Sequence, residues 1–312
     1  MISEKHGKVV KGLGGLYEIR ISENGELSRI SCRAKGTLKR DEEKLLVGDN
    51  VTVTLDDTTP DGIVISDIQE RKNSLIRPPL ANLDYLFIVF AAQKPAPVLE
   101  TVDKLVAIAE HNGISPIIII TKSDLSEDAA ANLADIYIKV GIPTFITSSE
   151  ADEGTGELSK YITKTLKNGK TAAFAGASGV GKSTLMNALF PSLSLATAEI
   201  SRKIERGRHT TRHVEIFDIS DSEDTGFLAD TPGFSLVDFE RFDFFSLDDL
   251  LPAFRDLCGY SGKCRYADCA HVGESADECA VARAAAEGKI AKSRLDSYRS
   301  IYRVLKSKTS YD

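Results

Sequence analysis

Residues Gly176-Ala177-Ser178-Gly179-Val180-Gly181-Lys182-Ser183 satisfy the pattern G-x-x-x-x-G-K-[ST]. An apolar stretch, Thr171 to Gly176, runs into them, and helical spacing starts at Ser183 and continues to Leu189. A strand that turns through a glycine-rich loop into a helix N-terminus is the setting in which successive backbone N–H groups converge on phosphate. It commits this part of the chain to an α/β layer built around a phosphate site. In such a loop Lys182 faces the β and γ phosphates of a nucleotide, the Ser183 hydroxyl ligates Mg²⁺, and Thr184 belongs with the phosphate-binding residues.

Upstream, Thr121-Lys122-Ser123-Asp124 follows the apolar stretch Pro116 to Ile120. The carboxylate of Asp124 can accept both N1–H and the exocyclic amine of guanine, a donor pair that adenine lacks. The stem of Lys122 can lie over the base while Thr121 braces the loop. Alternatively, the tetrapeptide opens a helix capped by Ser123 or Asp124, but its place at the end of a strand beside a phosphate loop favours base recognition. Ser148-Ser149, at the end of the next strand, suits a backbone contact to the guanine carbonyl. Downstream, Asp230-Thr231-Pro232-Gly233 ends the strand Phe227 to Ala229. Asp230 is expected to reach Mg²⁺ through water and Gly233 to sense the γ-phosphate. Between them lies Gly207-Arg208-His209-Thr210-Thr211-Arg212, where Thr210 or Thr211 completes the metal shell.

The usual order in such enzymes is phosphate loop, switch threonine, D-x-x-G, base motif, serine loop. Here the last two come first. The sheet survives this reordering because only its connections change: the old termini join across the turn between Leu166 and Thr171, and new ones open after the D-x-x-G segment. That segment then runs straight into the C-terminal region, so its movement would act there directly.

The remainder of the chain divides accordingly. From about residue 7 to 70, stretches Leu16–Ile21, Leu27–Ala34, Asn50–Leu55 and Gly62–Ile68 read as short strands between turn signals. A barrel of roughly five strands is the economical solution, with an OB-fold favoured and an SH3-like barrel fitting the same pattern. From Asn73 to about Ser235, strands at Tyr85–Ala92, Pro116–Thr121, Pro143–Thr147 and Thr171–Gly176 alternate with helices at Val98–Asn112, Ala129–Val140 and Gly156–Leu166, which implies a parallel sheet. After Asp238 come four clustered cysteines and a helical tail with Leu295, Tyr298, Ile301, Tyr302 and Leu305 on one face.

Within that tail, Cys264-x₄-Cys269-x-His271-x₇-Cys279 offers three thiolates and one imidazole, a closed tetrahedral set suited to one structural Zn²⁺. Cys258 remains a possible alternative ligand, and Cys32 reads as a strand residue. Clustered cysteines of this kind, no apolar N-terminal region after Met1, and no stretch long enough to span a bilayer point to a cytoplasmic protein. The net charge of −7 excludes bulk nucleic-acid binding, but three basic islands stand out. Arg29–Arg40 holds five basic residues and no acidic one, Arg202–Arg212 five against Glu205, and Ala280–Lys308 eight against Glu287 and Asp296. Few aromatics accompany them, which favours phosphate contacts over base stacking.

With its permuted motifs, Gly48-Asp49, Arg71 to Pro79, Asn82, Asp84, Gly207 to Thr211 and the cysteine segment, the chain resembles the circularly permuted GTPases. Within them it is similar to the ribosome small-subunit-dependent GTPase A family over nearly its whole length. The resemblance implies a multidomain α/β protein: an N-terminal OB-fold β-barrel that binds RNA (1–70), a circularly permuted P-loop GTPase domain (71–237), and a C-terminal, mainly helical zinc-binding domain (238–312). It implies GTP hydrolysis stimulated by the small ribosomal subunit, service in late maturation of that subunit, GTP/GDP and rRNA as partners, and a monomer away from membranes. The family's cysteine segment favours Cys264, Cys269, His271 and Cys279, although the gap before Cys279 is two residues longer than in the family. Phe234 follows the D-x-x-G motif where many GTPases place a water-orienting glutamine. His209, matching a histidine of the family pattern, is the candidate to orient water instead. Two other readings stay open: a GTP-switched rRNA-binding scaffold with little turnover, which Phe234 favours, and an ATP-dependent kinase or ATPase, against which Asp124 argues.

Overall fold

The computed structural model describes residues 4–23, 26–36, 38, 44–55, 62–76, 78–191, 214–219, 225–230 and 245–309. In chain order its strands are β1 (Glu4–Leu13), β2 (Leu16–Glu23), β3 (Glu26–Ala34), β4 (Asn50–Leu55), β5 (Ile63–Ile68), β6 (Ser74–Leu75), β7 (Leu80–Ala81), β8 (Tyr85–Ala91), β9 (Ser115–Thr121), β10 (Thr144–Ile146), β11 (Thr171–Ala175), β12 (Glu215–Asp218) and β13 (Phe227–Asp230). The helices are α1 (Leu99–His111), α2 (Glu127–Val140), α3 (Thr155–Thr165), α4 (Lys182–Leu189), α5 (Leu247–Leu250), α6 (Arg255–Cys258), α7 (Ala280–Ala286) and α8 (Lys292–Thr309). Two compact units emerge, the first of Met1–Leu86, Gly156–Phe174 and Ser183–Phe234, the second of Phe87–Thr155, Ala175–Lys182 and Ser235–Asp312.

In the first unit the N-terminal strands close a barrel in the order β1-β2-β3-β5-β4 and back to β1. β3 and β5 run parallel and the other pairs antiparallel, the five-stranded Greek-key closure of an OB-fold. Val9, Ile19, Ile21, Cys32, Val51, Val53 and Ile65 fill it, so Cys32 is a core residue. β1 has no counterpart among the strands read from sequence, because its charges and glycines mask the alternation. Its first half, Glu4 to Lys8, pairs with β4. After a bulge between Val9 and Lys11, the strand meets β12 at Lys11↔Glu215. The bulge turns one strand toward two neighbours. β12, also unforeseen, runs antiparallel to β13, so the sheet is mixed where a parallel one was expected; β13 itself lies parallel to β11.

A polar clamp fixes the connection that leaves the barrel. Arg71 binds the fully buried Asp49 with Nε at 2.6 Å and Nη2 at 2.8 Å, and the Asn82 amide donates to the Gly48 carbonyl at 3.0 Å. Gly48 has φ +92, and a Cβ there would sit 2.1 Å from the Ala81 carbonyl oxygen, so only glycine fits. Next to it Lys8 is almost fully buried, donating to Thr171 Oγ1 at 3.4 Å and lying 5.3 Å from the Phe227 ring centre. Burial lowers its pKa to about 8 despite the nearby Asp84 carboxylate.

In the second unit β9 lies between β8 and β10. Residues 86–91 and 116–121 are buried throughout, as strands covered on both faces must be. α1 packs Val102, Leu105, Val106, Ile108 and Ala109 inward. Ser126, whose hydroxyl accepts from the Ala129 N–H, caps α2, and Gly141 in the left-handed region ends it. The C-terminal helix α8 docks through a buried charge. Arg294, fully inaccessible, reaches Asp103 of α1 at 2.8 Å and grips Asp256 with two nitrogens at 2.8 and 3.1 Å. The Tyr137 hydroxyl donates to the same Asp103 oxygen at 3.2 Å, and the guanidinium lies over the Phe254 ring. Arg294 is thus one basic residue of the C-terminal island that faces no solvent.

Candidate functional site

The second unit holds the base motif, the serine loop and the phosphate loop up to Lys182 together. Gly176 ends the strand with φ +149, and a Cβ on it would lie 2.0 Å from the Val89 carbonyl oxygen. That close approach is what a glycine allows here. Gly179 and Gly181 also have positive φ, and the loop runs directly into α4 at Lys182. Lys182 folds back over its own loop, its Nζ donating to the carbonyls of Gly176 (2.6 Å) and Ala177 (2.8 Å); partial burial lowers its pKa. Ala177, Ser178 and Gly179 are exposed, Val180 is buried, and Ser183 and Thr184 are exposed in the first turn of α4.

Thr121 is buried at the end of β9 and donates to the Val180 carbonyl at 2.5 Å, tying the base motif to the phosphate loop. Lys122 follows with left-handed backbone (φ 57, ψ 40), and its ammonium donates to the carbonyls of Gly179 (2.8 Å) and Lys94 (2.7 Å). Ser123 and Asp124 form a single 3-10 turn with Leu125. Neither caps α2, since that position belongs to Ser126. The alternative reading of the tetrapeptide as a helix start therefore falls.

Ser148 is fully buried, and its hydroxyl donates to Asp124 Oδ1 at 2.5 Å. The Ser148 Oγ in turn accepts from the Ala151 N–H at 3.1 Å, while the Ser148 N–H and carbonyl pair with Glu153. The serine side chain thus orients the acidic side chain, a contact the sequence reading had not assigned; only the backbone of the serine loop had been given a part. Ser149 is exposed beside it. Asp230 closes β13, its backbone in register with Glu215. His209, Thr210, Thr211, Gly233 and Phe234 lie outside the described residues.

The four metal-ligand candidates converge. One ligand atom each from Cys264, Cys269, His271 and Cys279 lies within 4.8 Å of all the others, a group that could hold a metal ion. The His271 Nδ1 stands 3.6, 3.4 and 3.4 Å from the sulfurs of Cys264, Cys269 and Cys279. The longer gap before Cys279 leaves that residue inside the cluster. Cys258 is turned away, its thiol donating to the Leu251 carbonyl at 3.0 Å, which resolves the alternative left open by spacing. Backbone N–H groups of Ala280 and Ala282 donate to the sulfurs of Cys264 and Cys279, and against the opposing effect of burial the Cys264 pKa is lowered, the Ala280 N–H favouring its thiolate. Burial lowers the His271 pKa, which keeps a neutral ring with a lone pair to offer. His271 has a left-handed backbone (φ 62), and α8 holds it there: Arg299 Nε donates to its carbonyl at 3.0 Å and the Tyr298 hydroxyl to that of Ala270 at 3.2 Å. Sequence marked Tyr298 only as part of an apolar face and did not mark Arg299 as a support.

Residues 68–240 match the model of the RsgA GTPase and residues 6–64 that of the RsgA N-terminal domain. The chain belongs to the RsgA GTPase family. It is a GTP-hydrolysing enzyme of that family. Among the curated members, the small ribosomal subunit biogenesis GTPase RsgA of Alkaliphilus metalliredigens (strain QYMF) is 38% identical over 306 residues, covering 98% of this chain and 99% of the relative. Two solved structures superpose over almost the full length. YjeQ from Thermotoga maritima does so with a TM-score of 0.77 at 30% identity, covering 97% of this chain and 99% of that one. YloQ, described as a circularly permuted GTPase, gives 0.76 at 30% identity, covering 98% and 96%. The permutation inferred from motif order is thus the architecture of this family.

Proposed function

We propose that this GTPase assists late maturation of the small (30S) ribosomal subunit, that the subunit stimulates its GTP hydrolysis, and that hydrolysis drives a conformational change and release. The observation that carries the reading is the tie of Thr121 and Lys122 to the carbonyls of Val180 and Gly179 in the phosphate loop, in a chain whose relatives are named for small-subunit biogenesis. Asp124, oriented by Ser148, reads guanine; Lys182 and the loop amides hold the triphosphate; Ser183, Asp230 and Thr210 or Thr211 serve Mg²⁺; His209 orients the attacking water in place of the residue that Phe234 replaces. Working boundaries are 1–70 for the RNA-binding barrel, 71–237 for the GTPase domain and 238–312 for the metal-binding domain. The protein acts as a cytoplasmic monomer; among the described residues no helix is long and apolar enough to cross a membrane.

Zn²⁺ suits the Cys₃His cluster. Bonds of about 2.3 Å to sulfur and about 2.0 Å to nitrogen place tetrahedral ligand atoms about 3.8 Å (S···S) and about 3.5 Å (S···N) apart. Cys264 and Cys279 sulfurs stand 3.9 Å apart, and the sulfur–nitrogen distances are those given above. The closed donor set supplies structure rather than chemistry, holding the loop from Cys264 to Cys279 against α8. RNA contacts fall to the exposed Arg33 and Lys35 of the barrel and to Arg303 and Lys306 of α8.

The decisive experiment is GTP turnover with and without purified small ribosomal subunits, in parallel with competition by ATP and XTP. Stimulated multiple turnover supports the reading. Tight binding with single or no turnover favours the scaffold alternative, for which Phe234 is the sequence argument. Asp124→Asn should move preference from GTP to XTP; unchanged preference removes Asp124 from base recognition.

A further inference from the structure

β12 touches the barrel and the catalytic strand at once. Its residue Glu215 is in register with Lys11 of β1 on one side and with Asp230, the acid of the D-x-x-G motif, on the other. Both acidic residues of β12 are engaged by barrel cations: Lys11 Nζ meets Glu215 at 2.8 Å, while Arg20 Nε and Arg29 Nη2 meet Asp218 at 3.0 and 2.9 Å. Arg20 also lies 5.1 Å from the ring centre of Phe227, the register partner of Asp218. The three pairs differ in exposure. Arg20 is nearly buried, whereas Arg29 keeps 41% of its side chain in solvent and shares itself between Asp218 and Glu18.

An ion pair so exposed is weakly held and readily exchanged for another anion. Arg29 also begins the island that ends at Arg40, whose exposed members Arg33 and Lys35 lie along and just after the same strand. We propose that this ionic seam couples the barrel to GTP hydrolysis. A nucleic-acid phosphate on the β3 face competes with Asp218 for Arg29, and the changed pairing alters how β12 is held against β13. Lys11 and Arg20 are positioning residues that keep the register in place, and Arg29 is the exchangeable member. This inference rests on the proposed stimulation by the small subunit and names the route by which the barrel delivers it.

The test uses the full chain, with purified small ribosomal subunits as probe. Asp218→Asn is expected to leave GTP affinity and subunit-free turnover unchanged while cutting stimulation at least tenfold. Lys11→Glu should lower stimulation, and adding Glu215→Lys to it should restore most of the loss. Stimulation undiminished in Asp218→Asn, or a charge swap that restores nothing, overturns the seam. Loss of GTP binding by Asp218→Asn also overturns it, because the pairs would then be purely structural. A parent protein that the subunits fail to stimulate is a different result: it takes down the proposed function first, and the seam with it.

Discussion

Arg294 and Arg29 each bind two carboxylates, one in each compact unit, and they stand at opposite ends of exposure. Arg294 keeps 1% of its side chain in solvent and its partners Asp103 and Asp256 keep 0% and 8%; Arg29 keeps 41% and its partners Glu18 and Asp218 29% and 18%. The chemistry is the same, but the consequences are not. A desolvated pair strands a charge when one member is removed, whereas a hydrated pair merely hands its partner to water. The first arrangement joins α8 and its metal-ligand loop permanently to α1. The second leaves the barrel's contact with β12 open to competition.

Removing Arg294 should therefore give the largest effect. Arg294→Ala is expected to lower stability by about 3–5 kcal/mol, leaving Asp103 and Asp256 buried without a cation, measured by urea unfolding. A loss below 1 kcal/mol would erase the contrast with Arg29.

Lys8 tests the barrel side at an intermediate scale. Its folded pKa of about 8 lies below the ordinary lysine value of 10.5. Below about 8 the lysine is charged in both states and the cost of burying that charge is fully present. Between about 8 and 10.5 the unfolded chain binds more protons, so stability should rise with pH, by an amount on the order of 3 kcal/mol. Lys8→Met should be more stable than the parent at pH 7 and lose most of this rise. Melting curves across pH 7 to 10.5 check it, and a flat profile in the parent would contradict the buried cation.

Arg29→Ala should do least, costing at most about 1 kcal/mol and less still at high salt. The informative readout is a comparison of stability at low and high ionic strength: a large, salt-insensitive loss would place Arg29 in the same class as Arg294.

How much of this was legible in the sequence follows the same division. The phosphate loop and Thr121–Asp124 were legible because each is a local motif whose backbone geometry is set within a few residues. The Cys₃His group was legible for the same reason, spanning only residues 264 to 279. Strands β2 to β5 were readable from alternation and turn residues. β1 was not, because its bulge brings neighbouring Val9 and Val10 both into the interior and breaks the period of two. β12 is only four residues long and gains its identity from β1 and β13. The contact between Arg294 and Asp103 bridges 191 positions, beyond any spacing rule. The help that Tyr298 and Arg299 give His271 was hidden because hydrogen bonds to carbonyls leave no trace in residue type alone.

One strand's double service has a practical corollary. Since β1 both closes the barrel and flanks β12, deleting the first seventy residues would strip more than an RNA-binding module. It would uncover the edge of β12 at Glu215, where Lys11 now pairs, and an uncovered sheet edge is an invitation to self-association. A shortened protein that precipitates or binds ribosomes poorly would then be reporting a raw sheet margin, and point substitutions on the outer face of β3 are the cleaner instrument.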